Sequence, residues 1–402
     1  MPSLPASLLG VFRAYPPAFW VLWVGTLVNR LGEFVVPLLG FYLASERGMG
    51  VAQVSVVLSV LGVGRFVAEA FGGQLSDRLG TTSTMILALG GGAVMLLALS
   101  FASSFGGVVL GVLAFSLLTA MYKPAVSSAV AALTTGAQRT RAYNLLYWAI
   151  NVGASVAPAL GGWLSGLSFR LLFWLDAATM AAYAALLAAF RVRGTRPART
   201  PAGSSSWLPR DRLLWAFCLA SLLFALTYQS YKLLALVFAE QGYTAVQYGQ
   251  VLSVNGLLVV LLGLPLGHAI SKGNHPRWQA AGAALLGAGF LGHAFAHTFA
   301  AHVLAVAVWT LGEIVSYSIG KSIIAELGRP EVRGTYIGLV GSMSGLGALL
   351  APLLGGVLLA RFGNVALWGT VAGLAFLAAL LYLRLEGAVV TRRTLNAAPA
   401  AD

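Results

Sequence analysis

A-P-A-L-G-G at residues 157–162 returns as A-P-L-L-G-G at 351–356, a displacement of 194 residues. V-L-S-V at 57–60 returns as V-L-S-V at 251–254 with the same displacement, which also carries Arg139 onto Arg333 and Gly153 onto Gly347. One short match arises easily by chance in an apolar chain. Two at an identical offset argue for a duplicated unit. The surrounding composition says where such a unit lives. Of 402 residues, 58% are hydrophobic and only 9% are charged, with a mean hydropathy of +0.84. A soluble domain carries about 25% charged residues, so this chain has too few for a surface facing water.

A membrane helix needs about 20 mostly apolar residues. Runs of that kind occur at 18–44, 51–76, 82–102, 105–134, 141–166, 169–190, 213–239, 246–270, 277–298, 300–327, 334–360 and 364–385. Numbered in order, they are spans 1 to 12 of an all-α polytopic membrane protein. The first run is too long for a signal-peptide core and is followed by further spans, so it reads as a first helix. The connections are short except between Arg191 and Arg212, where T-R-P-A-R-T-P-A-G-S-S-S reads as a linker. The expected organisation is a six-helix half over 1–190, a cytoplasmic linker over 191–212, a second half over 213–386 and a cytoplasmic tail over 387–402.

Basic residues set the orientation. With the N-terminus inside, the inner segments hold Arg13, Arg78, Arg139, Arg141, Arg191, Arg193, Arg196, Arg199, Arg210, Arg212, Lys272, Arg277, Arg329, Arg333, Arg384, Arg392 and Arg393. The outer loops hold only Arg47, Arg170 and Arg361. Such a bias places both termini in the cytoplasm. The net charge of +13 is spread over these short loops rather than gathered on one face, which excludes a nucleic-acid-binding surface. The lone cysteine, Cys218, lies in an apolar run and can form no intrachain disulfide.

Two motifs carry more specific information. G-G-Q-L-S-D-R-L-G at 72–80 reads as the loop after span 2, with Gly73, Asp77, Arg78 and Gly80 as a conformational lock. Gly73 permits close helix contact, and Asp77 can face the positive N-terminus of a neighbouring helix. In span 5, G-A-S-V-A-P-A-L-G-G places Gly153, Pro158, Gly161 and Gly162 in a row of small residues around a proline. Such residues let helices approach closely, and the proline makes a weak point.

The first motif resembles the signature loop of the major facilitator superfamily, although Thr81 and Thr82 stand where that family places basic residues. The second resembles the antiporter motif of its drug exporters, with Ala157 replacing a glycine. N-R-L-G-E-F-V-V-P in span 1, K-P-A-V-S-S-A in span 4 and L-F-W-L-D-A-A-T in span 6 are similar to bacterial drug:proton antiporters. The resemblance implies twelve helices in two parallel six-helix halves related about the membrane normal. It also implies a central cavity lined by spans 1, 4, 7 and 10.

Ionisable residues inside spans are costly, so each faces a cavity or a partner. They are Arg30 and Glu33, Arg65 and Glu69, Lys123, Asp176, Lys232, Glu313 and Lys321. Arg30/Glu33 and Arg65/Glu69 are spaced to share helix faces. Glu313 differs, because no base lies three or four positions away. It stands roughly 18 Å along span 10, at 1.5 Å per residue, near the midplane. Desolvation there disfavours the charged carboxylate, which suits a proton carrier. W-T-L-G-E-I-V-S-Y is similar to the corresponding helix of drug:proton antiporters, where this Glu is associated with proton coupling. Glu313 and Glu33 are the proton-coupling candidates, and a Lys232 or Lys321 partner for Glu313 is the alternative.

The candidate cavity residues are Asn29, Arg30, Tyr122, Lys123, Asn144, Trp148, Asn151, Tyr228, Tyr231, Lys232, Asn255, Trp309 and Tyr317. Aromatic rings with a few polar groups suit amphiphilic ligands. His293 and His297 are four apart but have no carboxylate companion, so no metal is expected, and no cofactor either. No nucleophile motif, H-E-x-x-H, P-loop or dinucleotide fingerprint supports a membrane-embedded enzyme. The expected protein is a monomeric, proton-coupled exporter of amphiphilic small molecules in the lipid of a bacterial inner membrane. Transport of a specific metabolite or organic anion is the alternative.

Overall fold

The computed structural model describes residues 14–190, 210–270, 274–327 and 333–397. Most of the expected linker, the side chains of Arg65, Glu69, Gly73, Asp77 and Arg78, and that of Lys321 lie outside the described residues. The described chain is helical: α1 (Pro17–Leu31), α2 (Val35–Ser45), α3 (Val51–Leu79), α4 (Thr81–Phe101), α5 (Phe105–Ala120), α6 (Tyr122–Leu133), α7 (Gly136–Ser165) and α8 (Phe169–Ala189). Then come α9 (Arg212–Gln229), a 3₁₀ turn (Ser230–Leu233), α10 (Leu234–Glu240), α11 (Ala245–Ile270), α12 (His275–Phe295), α13 (Phe299–Leu327) and α14 (Arg333–Ala397). α14 is interrupted at Gly363, whose φ of 78° lies in the left-handed region. Among the described residues, nine helical stretches are long and apolar enough to cross a membrane, and one of them, Thr335–Arg392, contains that break. Their outer faces expose large apolar side chains such as Leu110, Leu261 and Leu304, as lipid contact requires.

Three expected spans are not single helices. Span 1 divides into α1 and α2, and span 4 into α5 and α6. A proline clashes with the carbonyl four residues back and donates no hydrogen bond. Pro37 strikes at Glu33, inside the first break, and Pro124 strikes at Ala120, the last residue of α5. In span 7 the Ser230 hydroxyl donates back to Leu226 O at 2.9 Å, a bond that bends helices, where the 3₁₀ turn begins. The expected loop at 72–80 is also shorter than its motif suggests. α3 runs to Leu79, and only Gly80, with φ 85°, makes the turn into α4.

The duplicated sequence is mirrored in packing. A Cβ on Gly62 of α3 would lie 2.4 Å from the carbonyl carbon of Ala348 in α14. Its counterpart 194 residues on, Gly256 of α11, stands in the same relation to Ala154 of α7, at 2.8 Å. Thus α3 packs on α14 and α11 on α7, joining the helices before the 191–209 segment to those after it. Ala159 N donates to Ser253 Oγ across the second seam at 3.0 Å. At the end opposite the chain termini, α2 also meets α10, and Phe41 of α2 stacks on Tyr248 of α11 at 5.9 Å.

At the other end, Asp211 caps α9 by accepting from Leu213 N at 3.0 Å. It also receives Arg392 from the end of α14 at 2.6 Å and Tyr336 OH at 2.7 Å. Partial burial works against its ionisation, but the Arg392 and Tyr336 hydrogen bonds outweigh it and hold the carboxyl below its ordinary range.

A Cβ on Gly249 would meet Pro158 O at 2.2 Å, whereas none on Gly338 meets anything within 4 Å. Gly249→Ala is therefore expected to cost about 1–3 kcal/mol through overpacking, with Gly338→Ala near neutral. Thermal unfolding of the purified variants measures the difference, and equal melting temperatures would show that the seam yields freely.

Candidate functional site

The broken first span builds one polar centre. Where α1 stops, backbone N–H groups at the start of α2 lose their helical acceptors and must be satisfied from elsewhere. Asp176 of α8, only 3% exposed, accepts from Val35 N at 3.2 Å and caps the helix. Flanking the break, Arg30 forms an ion pair with Glu33. Gly153 of α7 lets this region pack against its backbone, since a Cβ there would lie 2.3 Å from Arg30 Cβ. Arg30 Nε and Asn29 Oδ1 are buried and find no hydrogen-bond partner among the described residues. Beside them lies a hydroxyl cluster. Thr26 Oγ1 is 2.8 Å from Tyr122 OH and 3.3 Å from Tyr183 OH, and Tyr183 OH donates to Leu22 O at 3.0 Å.

The second centre surrounds Glu313 on α13. Tyr228 OH of α9 donates to Glu313 Oε1 at 2.8 Å. Asn255 Nδ2 of α11 donates to Glu313 Oε2 at 2.6 Å and lies 3.0 Å from Thr310 Oγ1. Both carboxylate oxygens are thereby engaged from other helices. Hydrogen bonds to a charged acceptor are stronger than neutral ones, so the arrangement accommodates the anion without a base on its own helix. Tyr317 and Tyr231 pack on the Tyr228 ring at 5.3 and 5.6 Å, forming an aromatic wall. Tyr147 of α7 lies within electrostatic range of Glu313. Tyr147 and Tyr317 are 55% and 41% exposed, while a Cβ on Gly338 or Gly341 would meet nothing within 4 Å.

The other sequence candidates are spread more widely. Trp148 is exposed at 46% and stacks on Trp23 at 6.3 Å, while Asn144 is exposed on the same helix. Asn151 Nδ2 donates within its own helix, to Tyr147 O at 2.8 Å. Lys123 is exposed at the start of α6, and Lys232 is half-buried in the 3₁₀ turn. Trp309 needs correcting. It is 2% exposed and stacked on Phe290 at 5.5 Å, pointing into the contact between α12 and α13 rather than into the cavity. Of the antiporter-like motif, Gly161 packs on Leu38 and Phe34, Gly162 on Ala245 O, and Pro158 against Gly249. Sequence reading missed Tyr147, Thr310, Thr26 and Tyr183. Tyr147 had a signal, since 144, 147, 148 and 151 share one helix face. The others had none without the fold.

Helices with lipid-facing apolar surfaces around a polar cavity define a multi-pass membrane transporter. The family model of the Major Facilitator Superfamily matches residues 22–319 and 233–399, and the chain belongs to that family. It is 23% identical to the uncharacterized MFS-type transporter YqjV of Bacillus subtilis, over 90% of this chain and 93% of that one. It is 24% identical to the multidrug resistance protein MdtH of Aeromonas hydrophila, covering 87% and 89% of the two chains. The fold is similar to that of a peptide transporter, POT, solved with sulfate, at a TM-score of 0.81 and 17% identity, covering 94% and 96%.

The Asp176 cap gives a direct prediction. Asp176→Ala leaves the Val35 N–H buried and unsatisfied, a loss of about 1–3 kcal/mol, while Asp176→Asn keeps an accepting oxygen. The Ala variant should melt clearly below the Asn variant, and identical melting curves would show that the cap contributes little.

Proposed function

We propose that the protein exports amphiphilic small molecules in exchange for protons, by rocking of two six-helix halves about the central cavity. The observation that carries this reading is Glu313, a carboxylate held by Tyr228 and Asn255 beside an aromatic wall of Tyr228, Tyr231 and Tyr317. With that carboxylate ionised, a proton and a cationic or polar substrate group compete for one negative site, and competition of this kind couples two fluxes. The 24% identity to a multidrug resistance protein supports export. In this reading the protein is a monomer in a bacterial inner membrane, both termini are cytoplasmic, and the cavity described faces the cytoplasm. Glu33, paired with Arg30, is the secondary coupling candidate, and Gly73, Asp77, Arg78 and Gly80 form the lock between cavity states.

Glu313→Gln keeps the shape and removes the charge. It should abolish efflux driven by an imposed pH gradient in reconstituted vesicles while downhill exchange of substrate persists. Gradient dependence equal to wild type would move the coupling role to Glu33.

A second reading, transport of a specific organic anion, is favoured by the exposed Lys123 on α6. Under it, Lys123→Ala should weaken transport of anionic compounds several-fold more than that of cationic ones, by loss of Coulomb attraction to the ammonium group. Equal losses across ligand charges would remove this reading.

A further inference from the structure

Two buried histidines face each other at the end of the bundle opposite the chain termini. His293, in the last turn of α12, and His302, in the first turn of α13, are both fully buried, and their Nδ1 atoms lie 2.9 Å apart. His302 Nε2 is 2.8 Å from Gln241 Oε1, in the turn after α10. An amide oxygen only accepts, so His302 Nε2 carries hydrogen and donates to it. The Nδ1 of neutral His302 is then an acceptor, and His293 must donate from its own Nδ1. This fixes both tautomers, with His293 Nε2 left as a basic nitrogen, buried and unpaired among the described residues.

The pair supports the contact that closes this end. The His302 ring packs on Phe238 of α10 at 4.6 Å, Phe238 on Tyr248 of α11 at 5.6 Å, and Tyr248 on Phe41 of α2 at 5.9 Å. α10 and α2 belong to opposite sides of the seam. Trp368 of α14 covers His293 at 5.4 Å, and Asn364 Nδ2 donates to His293 O at 3.1 Å. The titratable groups facing the pair are Tyr243, its ring 5.6 Å from His302, and His297, which interacts electrostatically with His302. Glu240, the last residue of α10, and Arg361 of α14 are exposed.

We propose that His293 and His302 form a second protonation site, separate from Glu313, whose protonation releases the closure at the end opposite the termini. The bond between the rings needs one donor and one acceptor. A proton added to His302 Nδ1 sets two donors against each other, and one added to His293 Nε2 puts a charge in a buried aromatic cage, which is costly without a partner. Either proton is accommodated once water reaches the rings, so acid favours separation of the Gln241 turn and α10 from α2. The closed end binds fewer protons than the separated one. Separation therefore grows as pH falls below about 6.5, the ordinary value for histidine, and closure returns above it.

The test uses full-length reconstituted protein carrying Ala52→Cys and Ala300→Cys in a Cys218→Ala background, spin-labelled at the two exposed helix starts. Wild-type histidines should give a separated population at least threefold larger at pH 5 than at pH 8. In His293→Gln and His302→Gln that ratio should fall to about one, while Glu313→Gln keeps it. A ratio near one with both histidines present, an unchanged ratio in both Gln variants, or its loss in Glu313→Gln overturns the proposal. Gln241→Leu keeps both imidazoles, and a neutral pair still offers one donor and one acceptor in either tautomer. Its separated population should therefore stay low at pH 8 and still rise at least threefold at pH 5, and a ratio near one in this variant overturns the proposal even if the histidine variants do not fold.

Discussion

The structure depends on a single constraint: in lipid, each backbone N–H and C=O must find its partner inside the protein. Continuous helices meet it automatically, and breaks do not. This chain breaks its helix where Pro37 forbids continuation through Glu33, and the freed Val35 N–H is taken by Asp176 from another helix. The break gathers Arg30, Glu33 and Asp176 because each has a reason to be there. The carboxylate satisfies backbone, and the ion pair neutralises charges that could not be buried singly. Polar chemistry and helix interruption are thus two consequences of one requirement.

Under the proposed rocking of two halves, a second requirement is movement without loss of packing. Across the seams, glycines bring backbones so close that a single methyl would collide, as at Gly62 against Ala348 and Gly256 against Ala154. The two seams occur at equivalent places in the repeat, giving this packing an approximate twofold symmetry. The polar centres do not share it. One is an ion pair beside a capped helix break, and the other is a carboxylate held by a tyrosine and an amide. Duplication supplied the scaffold, and divergence at a few positions supplied distinct chemistry on each side.

The pair of histidines adds a third layer. It sits where the chain turns back at the end of α12, packed beneath α10 rather than within the cavity. Its partners come from three segments, which ties the geometry of one turn to the closure of the whole end. In the proposed scheme, charge at this point acts on the closure of that end and charge at Glu313 on the bound substrate, so the two sites would bias different steps.

Composition and periodicity were enough to determine a polytopic helical membrane protein, because the scarcity of charge and the length of the apolar runs admit little else. The 194-residue displacement located the repeat, and G-A-S-V-A-P-A-L-G-G marked a close-packed helix, since small residues have little other use in lipid. Glu313 stood out because a lone acid in an apolar run is expensive wherever it points. The sequence could not supply its partners. Tyr228 and Asn255 lie 85 and 58 positions away, and nothing local distinguishes them from the buried Trp309, which has the same apolar surroundings in the chain. Likewise His293 and His297 share a helix face, yet His293 bonds to His302 across a turn. Apolar burial is written in each segment separately and can be read one helix at a time. A hydrogen bond between helices depends on how they rotate and meet, and only the tertiary structure decides that.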